Sequence, residues 1–366
     1  MVILSLLLSF YTGFLIILIM NIVILPRHNK TAQKTPAEGV SIIIPFRNEE
    51  KNLSHLISSL ENQNYSAPIQ IMFINDNSTD KSIEIIHSNS RSSRLDINLI
   101  ESIFDESRNL TSKQQALDKG IREARYEWIV LTDADMQFES DWLLSLMRYA
   151  KPGTDLVFGH TSINFQNNIL SFLQAFQLEF LFAVAYSFHK IGIPSSCMGN
   201  NLLINRNAYL DVGGYDKTGY SITEDQLLYA EFRKQKKKIL SAEPFIPKAR
   251  TYPVSTFGNF LHQVRRWFSG GFKIRSGLTA IGLFFLIQNL STLVLLTGIL
   301  PALPLTLTIS NLFLTWIFVA VSFKKTASTH SAIIFPIFYF FLLFEFVILI
   351  CSFIFQPFTI WKGRRI

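Results

Sequence analysis

Charge is scarce in this sequence. Only 17% of its 366 residues are Asp, Glu, Lys or Arg, whereas 49% are apolar. Soluble domains carry roughly a quarter charged residues, and disordered chains few apolar ones, so the balance excludes a disordered protein. Cysteine is scarcer still. Cys197 and Cys351 are the only two; they cannot build a disulfide framework and are not spaced as a zinc site. No repeat of solenoid period and no low-complexity tract is present. Basic residues outnumber acidic ones, 34 to 27, for a net charge of +7. The single basic run, Arg233-Lys234-Gln235-Lys236-Lys237-Lys238, has no nucleic-acid motif or interleaved aromatics around it. It reads as a solvated face near anionic lipid headgroups, and no nucleic-acid partner is expected.

The apolar residues are concentrated at the two ends. Val2 to Leu25 contains no charge, and at about 1.5 Å per residue it is long enough for a bilayer core of roughly 30 Å. A cleaved signal peptide is the competing reading. Against it stand the length of the run, the lack of a basic residue ahead of it and the lack of a small-x-small cleavage site. Residues 1–26 are therefore expected to be a transmembrane anchor. Apolarity returns over 278–356, with candidate spans at Leu278 to about Leu300, Leu305–Phe323 and Ile333–Phe355, the first two separated by Pro301 and Pro304. Three basic clusters favour a cytoplasmic middle region: Arg27, His28, Lys30 and Lys34; Lys273 and Arg275; Lys324 and Lys325. The basic tail over 357–366, with Lys362, Arg364 and Arg365, conflicts with three crossings. Either one segment is re-entrant or the tail breaks the rule. Glu345, inside the last span, could mark such an irregularity or pair with a neighbouring helix.

Between these ends, residues 38–250 have soluble composition. Val40–Phe46, Ile69–Ile74, Ile97–Ile100 and Trp128–Leu131 are short β-branched or apolar runs that read as strands. Asn52–Leu60, the stretch from Ser82 and Lys113–Ala124 read as the helices between them. This alternation predicts an open α/β sheet, in which ligands sit beyond the carboxyl ends of strands. Two acidic clusters lie at such ends: Asn75-Asp76-Asn77-Ser78-Thr79-Asp80, and Thr132-Asp133-Ala134-Asp135.

Paired carboxylates such as Asp133 and Asp135 are hard ligands suited to Mg²⁺ or Mn²⁺, although aspartates at strand ends also cap helices. Thr223-Glu224-Asp225 opens an apparent helix. It can be an ordinary acidic first turn or supply a carboxylate base. Gln263 and Trp267 share a face of the helix expected over 256–275. Trp267 and Arg266 also suit a membrane interface, where Trp belongs and a cation meets headgroups. Phe172–Phe188 is apolar with one acid, Glu179, and fits either a core helix or a helix lying on a membrane. Cys197-Met198-Gly199-Asn200-Asn201 either contributes to an acceptor site or simply packs.

The order of these elements is more specific than any one of them. From Val40 to about Lys273 the chain resembles the family-2 glycosyltransferases with membrane spans. The resemblance rests on Ile44-Pro45-Phe46-Arg47-Asn48-Glu49-Glu50, the Asp76 loop, Lys113-Gln114-Gln115-Ala116-Leu117-Asp118-Lys119-Gly120, Asp133-x-Asp135, Gly213-Gly214-Tyr215-Asp216, Thr223-Glu224-Asp225 and Gln263-x-x-Arg266-Trp267. Trp361-Lys362-Gly363-Arg364 resembles a tail of several membrane members, ceramide glucosyltransferases among them. Two places depart from the pattern. Asn75-Asp76-Asn77 stands where Asp-Asp-Gly is usual, and Asp118 where Asn is usual.

The resemblance implies a GT-A fold, α/β in class, for 38–250. It also implies an inverting transfer from a nucleotide-sugar donor, expected to be UDP-linked, to a lipid or glycan acceptor at the membrane. Carried over residue by residue, Asp76 contacts the nucleotide with Pro45 and Glu49 nearby, and Lys113 and Asp133 bind the donor. Asp135 holds a Mg or Mn cation, and Asp225 is the general base. Glu224, Gln263, Arg266 and Trp267 line the diphosphate and acceptor site. A processive polysaccharide synthase is the rival within the class. A non-catalytic nucleotide-sugar-binding membrane protein is the rival outside it, and a broken acidic set would be its mark. The expected location is a bacterial inner membrane, with the catalytic domain in the cytoplasm.

Overall fold

The computed structural model describes residues 2–24, 38–93, 95–193, 197–242, 246, 248–273, 277–295, 297–299, 301–325, 331–355, 360–361 and 364–365. The chain divides into two compact units. An α/β unit comprises Asn29–Phe165 and Ser196–Pro253, and a helical unit comprises Met1–His28, Gln166–Ser195 and Val254–Ile366. After helix α1 (Val2–Val23) come β1 (Val40–Phe46), α2 (Leu53–Glu61), β2 (Ile69–Asn75), α3 (Ser82–Ser92), β3 (Asp96–Glu101), α4 (Ser112–Glu123) and β4 (Trp128–Leu131). The next elements are β5 (Met136–Phe138), α5 (Trp142–Met147), β6 (Leu156–Phe158), β7 (Thr161–Ile163), α6 (Ile169–Lys190) and β8 (Leu202–Asn205). Then follow α7 (Arg206–Asp211), α8 (Gly214–Thr218), α9 (Glu224–Lys234), β9 (Ile239–Ser241) and β10 (Ala249–Thr251). The last elements are α10 (Phe257–Lys273), α11 (Gly277–Leu295), α12 (Ala302–Lys325), α13 (Ser331–Phe355) and a hairpin of β11 (Ile360–Trp361) and β12 (Arg364–Arg365).

The main sheet of the α/β unit runs β3-β2-β1-β4-β8-β6-β9. Its first four strands are parallel, and β8 is antiparallel to both β4 and β6. A second sheet has the order β5-β10-β7. β1 is buried on both faces, as its uninterrupted apolar run requires. Val40, Ile42, Ile44 and Phe46 enter a core shared with Leu53, Leu56 and Trp142. Ile43 faces the other way, against α4 at Gly120. Pro45 is tolerated because β1 pairs with β4 only over Val40–Ile43; beyond that point its missing N–H breaks no ladder. The parallel arrangement brings the carboxyl ends of β1, β2 and β4 to one edge. There the Asp76 amide donates to Phe46 O (2.9 Å) and the Thr132 amide to Ile43 O (3.2 Å).

Each departure from the family pattern has a local reason. Asn77 is left-handed (φ 59°), a conformation that asparagine tolerates best after glycine. Asn75 donates to Glu101 Oε2 (2.8 Å), a bond an aspartate could not make. Asp118 is buried. It accepts from Arg108 Nη2 (2.6 Å), Arg122 Nε (3.0 Å) and Tyr209 Oη (2.7 Å). Both arginines also reach Asp216, and Tyr209 Oη accepts from the Tyr215 amide (3.0 Å). The network therefore ties α4 to the turn at Gly213-Gly214, where both glycines have positive φ and a Cβ on Gly214 would collide with the Tyr209 ring.

Among the described residues of the helical unit, four helices are long and apolar enough to cross a membrane: Val2–Val23, Ile169–Lys190, Ala302–Ser322 and Pro336–Phe353. α6, which contains Phe172–Phe188, packs among these helices rather than in the α/β core. Its Phe176 meets Phe338 of α13, Phe180 meets Phe318 of α12, and Phe188 meets Phe14 of α1. Gln177 donates to both Glu345 oxygens (2.8 and 2.9 Å), so Glu345 pairs with a neighbouring helix. Polar contacts also join the long helices: Thr12 to Asn311 (2.6 Å) and Tyr339 to Asn289 (3.0 Å). Without water, such bonds hold transmembrane helices together. The expected span from Leu278 matches α11 in its helical part. Arg27, His28, Lys30, Lys34, Arg275 and Lys362, on which orientation was argued, lie outside the described residues.

Burial pushes the Asp118 carboxyl up, but hydrogen bonds from Arg122, Arg108 and Tyr209 outweigh it and hold it below its ordinary value. A lowered carboxylate pKa stabilises the fold above the unfolded value and is lost as pH falls. Asp118→Ala should therefore cost about 2–3 kcal/mol at neutral pH, with a smaller loss for Asp118→Asn. Thermal unfolding of the variants at several pH values checks this, and the deficit should shrink below about pH 4.

Candidate active site

Three consecutive side chains in the first turn of α4 each hold a different loop. Thr111 caps the helix and forms a reciprocal capping box with Gln114. Ser112 Oγ donates to Asp76 Oδ2 (2.8 Å), at the end of β2. Lys113 Nζ lies 2.7 Å from Asp133 Oδ1 and 2.8 Å from Glu224 Oε1. Gln114 donates to Gly219 O (2.8 Å) and accepts from the Ser221 amide (3.1 Å), in the loop leading to α9. Five of the expected site residues, Asp76, Lys113, Asp133, Glu224 and its neighbour Asp225, are thus organised around one helix N-terminus. Burial works against the Lys113 ammonium, but the Asp133 and Glu224 carboxylates outweigh it and raise its pKa well above the ordinary value.

Asp135 follows on the same loop. The loop leads into β5 rather than a helix, so neither aspartate is a helix cap. Burial, then the negative charges of Asp133 and Glu49, push the Asp135 carboxyl up to about 6; Lys113 and the Thr251 hydroxyl (3.2 Å) only partly offset this. Glu49 is held by Asn52, and its amide donates to Ser82 Oγ. Negative charge in excess of its compensation, on hard oxygen donors, fits a divalent cation. No set of three or more His, Cys, Asp or Glu groups at ligating spacing occurs among the described residues. The carboxylates of this loop that would hold such a cation are those of Asp135 and Asp133, the latter already paired with Lys113.

Asp225 is aimed by the backbone. Its Oδ2 accepts from the Gly199 amide (2.9 Å) and its Oδ1 from the Gln226 amide (2.8 Å). Burial and then the neighbouring Glu224 push it up to about 6, against the pull of Lys113 and the two amides. Gly199 was not anticipated at this position. A Cβ there would lie 2.6 Å from Asp225 Cβ, so only glycine allows the approach. The surrounding segment is fixed on all sides. Asn200 O accepts from Thr132 (2.8 Å) and Asn200 Oδ1 from Thr161 (3.0 Å), while Asn201 Oδ1 accepts from Trp142 (2.9 Å). The only sequence signal was a glycine followed by two asparagines, without a pattern that connects it to Asp225.

Gln263, Arg266 and Trp267 lie on α10 of the helical unit. Trp267 joins an apolar cluster there with Phe260, Val264 and Leu349.

The model of glycosyl transferase family 21 matches residues 3–366. The chain belongs to glycosyl transferase family 21. This agrees with the resemblance drawn from the motifs, family 21 being of the family-2 type. The poly-beta-1,6-N-acetyl-D-glucosamine synthase of Staphylococcus aureus (strain COL) is 25% identical over 240 residues, 65% of this chain and 55% of the relative. That of Staphylococcus epidermidis is 25% identical over 242 residues, with the same coverage. This family 21 chain spans about half the length of these curated relatives. The mannosyltransferase PcManGT from Pyrobaculum calidifontis, solved with GDP-Man and Mn²⁺, superposes with a TM-score of 0.54 at 13% identity, over 95% of this chain and 98% of that one. The shared architecture is the mixed α/β glycosyltransferase fold, similar to GT-A enzymes.

Two variants probe the geometry. Gly199→Ala should displace Asp225 and lower sugar transfer at least about tenfold while the protein stays folded, since a shift of about an ångström in a positioned group is costly. Lys113→Met should remove the ammonium that neutralises both Asp133 and Glu224; a comparable loss and a lower unfolding temperature are expected. Activity assays beside thermal unfolding curves check both.

Proposed function

We propose that this chain is an inverting glycosyltransferase that moves a sugar from a nucleotide-sugar donor, UDP-linked in our reading, to a lipid or lipid-linked acceptor at a membrane surface. The observation that carries this reading is Asp225, a carboxylate raised to about 6 and aimed by two amides, beside the acids gathered by Lys113 at the carboxyl ends of the strands. A base with a pKa close to working pH is ionised yet still accepts a proton effectively.

In the proposed reaction the acceptor hydroxyl attacks the anomeric carbon opposite the leaving diphosphate, and Asp225 takes the hydroxyl proton. One carboxylate suffices, because no covalent intermediate is formed. Asp76, with Pro45 and Glu49, binds the nucleotide, and Asp133 and Lys113 hold the sugar-phosphate end. Asp135 with Asp133 holds Mg²⁺ or Mn²⁺, which when bound supplies Lewis-acid stabilisation of the diphosphate charge. The diphosphate and acceptor roles of Glu224, Gln263, Arg266 and Trp267 are part of the same proposal.

The apolar helices support a membrane location, which we read as a bacterial inner membrane with the α/β unit in the cytoplasm. α6 is one of the helices long and apolar enough to cross it, and it packs against α1, α12 and α13.

A processive polysaccharide synthase is the second reading, favoured by the names of the staphylococcal relatives. One assay separates the two. Full-length protein in lipid extract is given a panel of labelled sugar nucleotides, with and without chelator. Label in the organic phase that is lost on chelation supports the lipid acceptor; label in a high-mass aqueous polymer supports the synthase. Asp225→Asn should lose about a hundredfold or more in kcat, and full activity at unchanged protein level would end the assignment. The acid limb of kcat/KM should fall below about pH 6, where Asp225 takes up its proton.

A further inference from the structure

α10 carries two adjacent arginines with different surroundings. At roughly 100° per residue, Arg265 is turned about 100° from Arg266 and about 160° from both Gln263 and Trp267. It therefore lies off the face that carries the Gln263-x-x-Arg266-Trp267 motif. Its side chain is among the largest fully buried ones in the chain, at 2% exposure. An aromatic ring lies against it. The guanidinium carbon sits 4.8 Å from the centre of the Phe353 ring on α13, and α10 and α13 also meet through Phe260, Val264, Phe341 and Leu349. Among the described residues no carboxylate pairs with Arg265, and its buried Nε has no hydrogen-bond partner.

A cation withdrawn from water needs an anion or a full set of acceptors. The face of Phe353 supplies a fraction of that. Neither packing nor the motif explains why an arginine, rather than a leucine, occupies this position. The guanidinium fork suits the paired oxygens of a phosphate, and the apolar helices around it suit a phosphate attached to hydrocarbon.

We infer that Arg265 anchors a phosphate-binding site between α10 and α13, separate from the motif face, whose ligand is the phosphate of a lipid. The inference rests on the membrane reading above but not on sugar transfer, so it can fail while the enzyme assignment stands.

The test is a thermal-unfolding titration of the purified full-length protein in nonionic detergent. The probes are dioleoyl phosphatidylglycerol, dioleoylglycerol as its phosphate-free counterpart, and UDP. Wild type should respond saturably to the phosphatidylglycerol and not to the dioleoylglycerol. In Arg265→Gln the apparent affinity should fall roughly ten- to a hundredfold. Arg265→Lys keeps the charge but loses the fork and should fall in between, and the UDP response should be the same in all three proteins. Equal phosphatidylglycerol affinity in wild type and Arg265→Gln overturns the site. Loss of the UDP response alone in Arg265→Gln overturns the lipid source and assigns the phosphate to the donor nucleotide. Should Arg265→Gln not fold, a wild type that responds equally to phosphatidylglycerol and dioleoylglycerol is enough to overturn the proposal.

Discussion

The geometry of the α/β site depends on one ammonium group. Lys113 lies between Asp133 and Glu224, which come from distant parts of the chain and would repel each other without it. Because Lys113 sits on the first turn of α4, the helix that carries it also fixes the loops it bridges. Ser112 on one side fastens Asp76, and Gln114 on the other fastens the approach to α9. Packing of α4 against the sheet is therefore also positioning of the site. The buried Asp118 network, further along the same helix, matters for the same reason.

Much of this was legible in the sequence. β1 and β4 appear with the ends their apolar runs suggested, and Asp76, Asp133 and Asp225 lie where strands or a helix begin or end. β1 leaves an uninterrupted apolar run that can be read directly, and β4, though only four residues long, is marked by the acidic pair it runs into. The strands from β5 to β10 have three or four residues each and carry no such mark. They are held by pairing with partners far away in the chain, which no local pattern records. Gly199 was missed for a related reason. Its role is a close backbone approach across twenty-six positions of sequence, and a glycine announces such an approach only when its partner is known.

The departures from the family pattern show how a site absorbs substitution. Asn77 supplies the left-handed turn that glycine usually provides, and Asn75 converts what would be repulsion from Glu101 into a hydrogen bond. Asp118 brings a second negative charge onto α4, but Arg108 and Arg122 are both present to meet it. In each case the change of residue type is answered within one contact. A motif read letter by letter would count these three positions as defects.

α6 has one more consequence. It meets α1 through Phe188, α12 through Phe180 and α13 through Phe176, and Gln177 adds a bond to Glu345. The helical unit is thus assembled from three separate stretches of the chain. Its packing is complete only once α13 has been synthesised, long after α1 has emerged.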